Sequence, residues 1–265
     1  FYLFGLHKKK LIYACHDFVD HVEINNRGFI SRYKYFIFKH FSYFQLFSKT
    51  QLGLFNNKFS KITYYAPLAL KGFGKANLIK KNNDKIVFLF FGKIQERKGL
   101  EYLVKAANLV YEKCPGKFIV KICGACDNWD KYESLIKHPE CFDLVTRRIE
   151  NEEIPNIFVT SDFLILPYKD VTQSGPLLIS YNYNLPVIAS NHPGFAEYIS
   201  HGVTGFLFNN CDEKSLAATM IDIVEGKYNL DTIVNSLKQF IRENVSLDSI
   251  VKKYVEGFNL VLRDE

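Results

Sequence analysis

From Lys85 onward, short apolar runs alternate with segments whose apolar positions recur at helical spacing. KIVFLFFG (Lys85–Gly92) is apolar almost throughout, and Leu100, Leu103, Val104, Ala107 and Val110 then mark one face of a helix over Leu100–Lys113. KFIVKICG (Lys117–Gly124), FDLVTRRI (Phe142–Ile149), FLILPY (Phe163–Tyr168) and PVIAS (Pro186–Ser190) repeat the strand signal, with Trp129–Lys137 and Glu152–Ser161 as intervening helices. Thr172–Phe208 continues the alternation with a turn, a short helix, the PVIAS strand, a loop with a helix, and a Gly-punctuated turn into a further strand. Strands that are apolar at nearly every position are buried on both faces, which is the pattern of a parallel sheet between two layers of helix. The expected fold class is α/β, a doubly wound, Rossmann-like parallel sheet with right-handed crossovers. Ligands in such sheets lie beyond the carboxyl ends of the strands, where the strand order reverses.

The first 85 residues are less regular. KKLIYACHDF (Lys9–Phe18) reads as a buried strand with His16 and Asp17 at its carboxyl end, followed by His21 and Glu23. His16 and His21 share a face of neither a helix nor a strand, so no metal site is expected there. Phe29–Phe47 is densely aromatic, with Arg32, Lys34, Lys39 and His40 interleaved, and has helical periodicity. Two readings fit: a core helix with a solvated basic face, or a helix lying on a membrane surface. KITYYA (Lys61–Ala66) is a short strand, and polar Gly72–Lys85 is the best linker candidate.

Charge sharpens this division. The net +6 of the 265 residues conceals 15 Lys/Arg against 4 Asp/Glu in residues 1–85, and 19 against 24 in the rest. A basic first part suits an anionic surface or an acidic substrate. No helix-turn-helix, zinc-ligand or aromatic RNA-binding motif accompanies it, so nucleic acid is not an expected partner. Six cysteines in a chain of this length form no disulfide framework, and the lone C-x-x-C at Cys123 and Cys126 has no second pair. Reduced thiols in the cytoplasm are expected, with no metal. No apolar run reaches the roughly eighteen residues of a membrane span. The chain begins at Phe1 and has a single methionine, Met220, which suggests a fragment of a longer protein.

Candidate chemistry sits at the strand ends. The first strand of the regular series ends in Gly92 and Lys93, followed by Arg97, Lys98 and Gly99. Glycine admits a ligand close to the backbone, and cations this near suit a diphosphate. The fourth strand leads into Thr172, Gln173, Ser174 and Gly175, with Ser174 or Gly175 as N-cap and Pro176 as the first helical residue. A helix starting there directs backbone N–H groups and a positive dipole end into the loop, which favours an anion. Each feature alone is an ordinary connection; both at the ends of strands in one sheet fit one phosphate-bearing ligand. There is no G-x-G-x-x-G, G-x-x-x-x-G-K-[ST] or G-x-S-x-G, which argues against dinucleotide, P-loop and serine-hydrolase chemistry.

FFGKIQERKGLEYLVKAANLV, KFIVKICGAC, DFLILPYKDVTQSG and NLPVIASNHPGFAEYISHGVTGFLF, in this order, resemble the retaining glycosyltransferases of GT-B architecture, family 4. YACHDFVDH and SKTQLGLF resemble the end of that family's N-terminal domain, and SLDSIVKKYVEGFNLVL its closing helix. The resemblance implies an acceptor-side domain and linker over residues 1–82, a nucleotide-sugar donor domain over 83–245, and a helix over 246–265 crossing back. It implies sugar transfer from a nucleoside diphosphate sugar to an acceptor hydroxyl with retention and without metal or cofactor. A saccharide or lipid-linked acceptor in cell-surface polysaccharide or glycolipid synthesis is implied, in the cytoplasm or at the inner face of the membrane. By position, Lys98 matches the donor-diphosphate lysine, and Lys93 stands where an arginine is usual. Gly92 is the strand-end glycine, Ser174 and Gly175 open the phosphate-facing helix, Glu197 follows Gly194 in the Gly-x-x-Glu segment, and His16 matches the histidine facing the donor sugar. One departure stands out. The family's paired Glu, one near the sugar and one on the ribose, is missing: the first falls within Val171–Gln173 and the second on Ile179 or Ser180. A non-catalytic nucleotide-binding module derived from such an enzyme is the alternative.

Overall fold

The computed structural model describes residues 10–18, 27–78 and 85–264. The chain divides into two compact units, Phe1–Ala69 with Glu243–Glu265, and Leu70–Arg242.

The first unit contains β1 (Ile12–Cys15), α1 (Arg27–His40), β2 (Tyr43–Leu46), α2 (Lys49–Asn56) and β3 (Ile62–Tyr65), the strands forming a parallel sheet in the order β1-β2-β3. Phe29–Phe47, expected as one helix, divides: α1 stops at His40, and Tyr43–Leu46 becomes the central strand, paired on both sides. Phe44, Gln45 and Leu46 are all buried there, and a short run buried on both faces carries no periodicity to separate strand from helix. Ile37 and Phe38 of α1 enter the core with Cys15, Phe44, Leu46 and Phe55, whereas Tyr33, Tyr35 and Phe36 are exposed. Ser48 starts α2 by accepting from the Gln51 amide at 3.1 Å. His21 and Glu23 lie outside the described residues.

In the second unit β4 (Ile86–Phe91), α3 (Leu100–Lys113), β5 (Phe118–Cys123), α4 (Asp130–Glu133) and β6 (Phe142–Val145) run outward to one edge of the sheet. The chain then crosses back through α5 (Ile154–Val159) to β7 (Phe163–Leu166). It proceeds through α6 (Gly175–Asn182), β8 (Val187–Ser190), α7 (Pro193–Ala196) and β9 (Gly205–Phe208) to the other edge. The six strands are parallel in the order β6-β5-β4-β7-β8-β9, so the order reverses between β4 and β7. Every residue of β7 and β8 is buried, as their unbroken apolar runs predict. α4 is far shorter than the helix expected over Trp129–Lys137. Buried Asn108 of α3 explains the stop: its carboxamide donates to the Leu135 carbonyl at 2.8 Å and accepts from the Lys137 amide at 3.1 Å, drawing that backbone out of helical bonding.

The linker candidate starts inside this unit. The Phe73 amide donates to the Tyr183 hydroxyl at 3.0 Å, and Asn77 and Leu78 both donate to Asn156 Oδ1. Residues 79–84 lie outside the described residues. After α8 (Glu213–Val224) and α9 (Leu230–Asn244), α10 (Leu247–Leu262) belongs to the first unit and packs on β3. Gly257 lies against the Tyr64 ring, Gln45 Nε2 donates to the Tyr254 hydroxyl at 2.7 Å, and Lys10 Nζ donates to the carbonyls of Val261 and Leu262. A lysine on the last carbonyls satisfies groups that a helix end leaves open and complements its dipole.

Candidate functional site

Where β4 ends, Gly92 turns the chain with φ of +104°, a conformation that favours glycine. A methyl group on its Cα would stand 3.0 Å from Lys98 Nζ and 3.8 Å from Cγ of Pro176. The strand end, a lysine ammonium and the first turn of α6 thus meet at the point of strand-order reversal, where this sheet class leaves a ligand crevice.

Lys98 closes a 3-10 turn, Glu96–Lys98, and the left-handed Gly99 behind it starts α3. Gly99 lies directly on the Pro167 carbonyl, with no room for a side chain. The Lys169 amide donates to the Arg97 carbonyl at 2.8 Å, and Lys169 Nζ pairs with Glu101 at 2.6 Å. The loops after β4 and β7 are therefore one piece of structure, and that piece holds Lys98.

Lys98 is 7% exposed. Its ammonium lies 5.7 Å over the Tyr168 ring and has no ion-pair partner among the described residues. Burial, with the neighbouring Arg97 charge adding to it, pushes its pKa down to about 8. A buried cation without a counter-ion is costly, and an arriving anion relieves that cost. Beneath it the Tyr168 hydroxyl is sealed from solvent without a hydrogen-bond partner, and burial raises its pKa. Its polar neighbour is Ser174, which works against that rise and whose Oγ also caps α6, accepting from the Leu177 amide at 3.3 Å. Pro176 accordingly falls at the second helical residue, one later than expected. Gly175 has nothing within 4 Å of the place a Cβ would take, so its backbone faces open space.

The structure brings Gly92, Lys98, Ser174 and Gly175 together. Lys93 is engaged in an exposed ion pair with Asp127 at 3.1 Å, a contact weak enough to yield to a ligand. Glu197 follows α7, whose Gly194 packs under the Val171 and Thr172 carbonyls. His192 fixes that turn, accepting the Gly194 amide on Nδ1 at 3.3 Å with Nε2 3.4 Å from Asp170. His16 belongs to the first unit, exposed at the end of β1 and stacked on Phe47 at 4.3 Å. Ile179 and Ser180, one of which occupies the place of the family's ribose carboxylate, are both core positions, and Ser180 Oγ donates to the Leu185 carbonyl at 2.7 Å. Sequence reasoning missed Tyr168, the Lys169–Glu101 pair and the Gly99 contact, because their roles rest on contacts between distant segments. Cys123 is a buried strand residue with its thiol pushed up to about 12. Among the described residues no three His, Cys, Asp or Glu side chains converge on a metal position, and no helix is long and apolar enough to cross a membrane.

A family model described as "Glycosyl transferases group 1" matches residues 85–226. An uncharacterized 41.2 kDa protein of the cps region of Klebsiella pneumoniae is 29% identical over 185 residues, covering 68% of this chain and 49% of that protein. A UDP-Gal:alpha-D-GlcNAc-diphosphoundecaprenol alpha-1,3-galactosyltransferase of Escherichia coli is 26% identical, covering 75% and 48%. The chain spans about half the length of these relatives. Among solved structures, Anabaena HepE in complex with UDP and glucose superimposes with a TM-score of 0.73 at 16% identity, covering 94% of this chain and 71% of that one. A likeness at that identity is one of fold.

Proposed function

Because the chain belongs to the glycosyl transferases group 1 family, with the α/β GT-B fold of its structural neighbours, we propose that the crevice around Lys98 binds the diphosphate of a nucleotide-sugar donor. The observation that carries the proposal is the buried, unpaired Lys98 ammonium beside Gly92 and the first turn of α6. HepE, a structural neighbour, is described in complex with UDP-glucose, which supports a donor of this class.

The reaction is transfer of the sugar to an acceptor hydroxyl with retention. The bond from the anomeric carbon to the diphosphate oxygen breaks, a bond to the acceptor oxygen forms on the same face, and the acceptor proton passes to the departing phosphate. Charge develops on the leaving diphosphate. Lys98, Lys93 released from Asp127, and the amino end of α6 stabilise it as fixed groups that need little reorganisation. No protein base is required. Residues 83–245 serve as donor domain, 1–82 as acceptor-side domain and linker, the linker part beginning at Leu70 where the second unit begins, and 246–265 as closing helix, with His16 toward the sugar and Glu197 near the donor. Relatives support an acceptor in surface-polysaccharide or lipid-linked synthesis: one is the E. coli enzyme above, another an amylovoran biosynthesis glycosyltransferase of Erwinia amylovora. The exposed Tyr33, Tyr35 and Phe36 on the basic helix α1 suit contact with an anionic membrane, and failure to bind anionic vesicles at low salt would remove that part.

Calorimetry with UDP and GDP tests the site. The protein binds one of them below millimolar, Lys98→Ala weakens binding at least about tenfold, and Gly175→Ala weakens it while leaving the melting temperature in place. No binding of either nucleotide at millimolar concentration sinks the assignment. The absence of any carboxylate at Ile179 and Ser180 favours a second reading, a nucleotide-binding module without transfer. Nucleotide binding with neither donor hydrolysis nor sugar transfer in the full-length protein would select it.

A further inference from the structure

The helix α10 turns one face to the sheet of the first unit and leaves a second face apolar and exposed. Ile250, Gly257 and Val261 are buried, and Tyr254 stands edge-on to the Tyr64 ring. Leu247, Val251, Val255, Phe258 and Leu262 are each between 45% and 71% exposed. At about 100° per residue, these five fall within roughly 80° of the helix circumference, beside the face that meets the sheet. Single exposed apolar residues are ordinary. Five in one stripe make a patch on the order of 400 Å², the size at which exposed apolar surface marks an interaction site.

The stripe is nearly symmetrical about its middle. Val251 and Phe258 lie four residues before and three after Val255, and Leu247 and Leu262 eight before and seven after. Steps of three and four are those of a seam between helices. A second α10 laid antiparallel, with a two-fold axis at Val255, sets Val255 against itself. Val251 then meets the partner's Phe258, and Leu247 meets the partner's Leu262. An interface between two copies across a two-fold axis requires this self-complementarity. Charge selects the same arrangement. Exposed Asp248, Lys252, Glu256 and Arg263 follow one edge of the stripe. Antiparallel pairing brings Lys252 beside the partner's Glu256 and Asp248 beside the partner's Arg263, each pair formed twice. Parallel pairing would set each of these residues against its own sign. We infer that α10 is a self-association surface on which two copies of this chain pair antiparallel through Leu247, Val251, Val255, Phe258 and Leu262. One pair of helices is smaller than a standard interface of about 1,600 Å² in total, so the dimer dissociates at roughly micromolar concentration.

Sedimentation of the whole chain from about 1 to about 100 μM tests the pairing, and the mass is expected to pass from monomer to dimer over that range. Val255→Glu places two carboxylates together on the axis and is expected to stay monomeric throughout. Diluted to where both are monomeric, it keeps the wild-type melting temperature, because the position is exposed. Lys252→Glu or Glu256→Lys alone turns two attractive pairs into repulsive ones and raises the dissociation constant about tenfold. The two together exchange the signs and bring it back within about threefold of wild type. A chain still monomeric at about 100 μM, or a dimer that Val255→Glu leaves intact, overturns the inference. So does a dilute Val255→Glu chain that melts lower than wild type, since the stripe would then be covered from within the chain. A full-length protein that stays monomeric where this chain pairs also overturns it, because the rest of the protein would then occupy the stripe.

Discussion

On the donor-site proposal, Lys98 is a residue at which stability and binding have opposite demands. An ordinary lysine titrates near 10.5 and Lys98 near 8, chiefly because burial disfavours its charge. Between these values the unfolded chain holds a proton that the folded chain has released, so stability rises with pH across that window. Below about 8 the whole cost of the buried charge is present. Replacing an unpaired buried charge by an apolar group of similar shape removes that cost. Lys98→Met is therefore expected to raise the melting temperature of the ligand-free protein at pH 7, by an increment that shrinks toward pH 10. The ligand reverses the preference. An arriving diphosphate wants the ammonium, so the affinity of the wild type falls roughly tenfold per pH unit above 8. Binding at pH 9 takes up a proton, seen as calorimetric heats that change with the buffer's ionisation enthalpy. Lys98→Met should show neither effect, and a wild-type affinity flat from pH 7 to 10 would contradict the argument. The sequence marked Lys98 as a cation near a strand end. Its burial could not be seen there, because it depends on Tyr168 and on the Gly92 turn.

At the scale of elements, β4, β5, β7 and β8 were legible because nearly every position in them is apolar, which a sheet covered on both faces requires. The edge strand β6, by contrast, stops at Val145, short of the expected Ile149, with Asp143 and Leu144 exposed. Helix lengths and the fate of Tyr43–Leu46 were not legible, since Asn108 and the partners β1 and β3 lie elsewhere in the chain. The same contrast governs the clamp between the loops after β4 and β7. Gly99 and Gly116 both have left-handed backbones, with φ of 62° and 72°, but Gly99 abuts the Pro167 carbonyl and Gly116 faces open space. A sequence shows two turn glycines; the structure shows one turn and one contact. Gly116→Ala is expected to cost about 1 kcal/mol, the left-handed penalty alone. Gly99→Ala adds roughly 2 kcal/mol more for displacing the neighbouring loop, and it weakens nucleotide binding because Lys98 moves with that turn. Urea denaturation of both variants measures the difference, and equal midpoints would show that the two loops are not locked together.

The whole molecule is two units, and the chain's ends decide the composition of the first. Residues 1–85 carry a net +11, which suggests a strongly basic domain. The first unit, which includes Glu243–Glu265, holds 13 Lys/Arg against 8 Asp/Glu, and the second 21 against 20. Acids of the C-terminal segment temper the basic sheet unit, so the charge contrast along the sequence is larger than that between the folded units. The basic character that remains is concentrated in α1, which has no acidic residue. α10 is also a structural requirement of its unit. A three-stranded parallel sheet needs cover on both faces, and α10 lies on β3 with Gly257 tight against Tyr64. A side chain at Gly257 has to push the helix away, breaking the Gln45–Tyr254 bond and the Lys10 cap as well. Units with separate cores unfold in separate steps when their mutual stabilisation is small. Gly257→Val is therefore expected to lower one thermal transition by several degrees, at a cost of about 2–3 kcal/mol, and to leave the other in place. The retained transition should be the one that added nucleotide shifts upward, because the Lys98 crevice belongs wholly to the second unit. A single transition that falls as a whole, with nucleotide protection lost in step, would mean that the two units fold as one cooperative body and that α10 stabilises the donor side as much as its own.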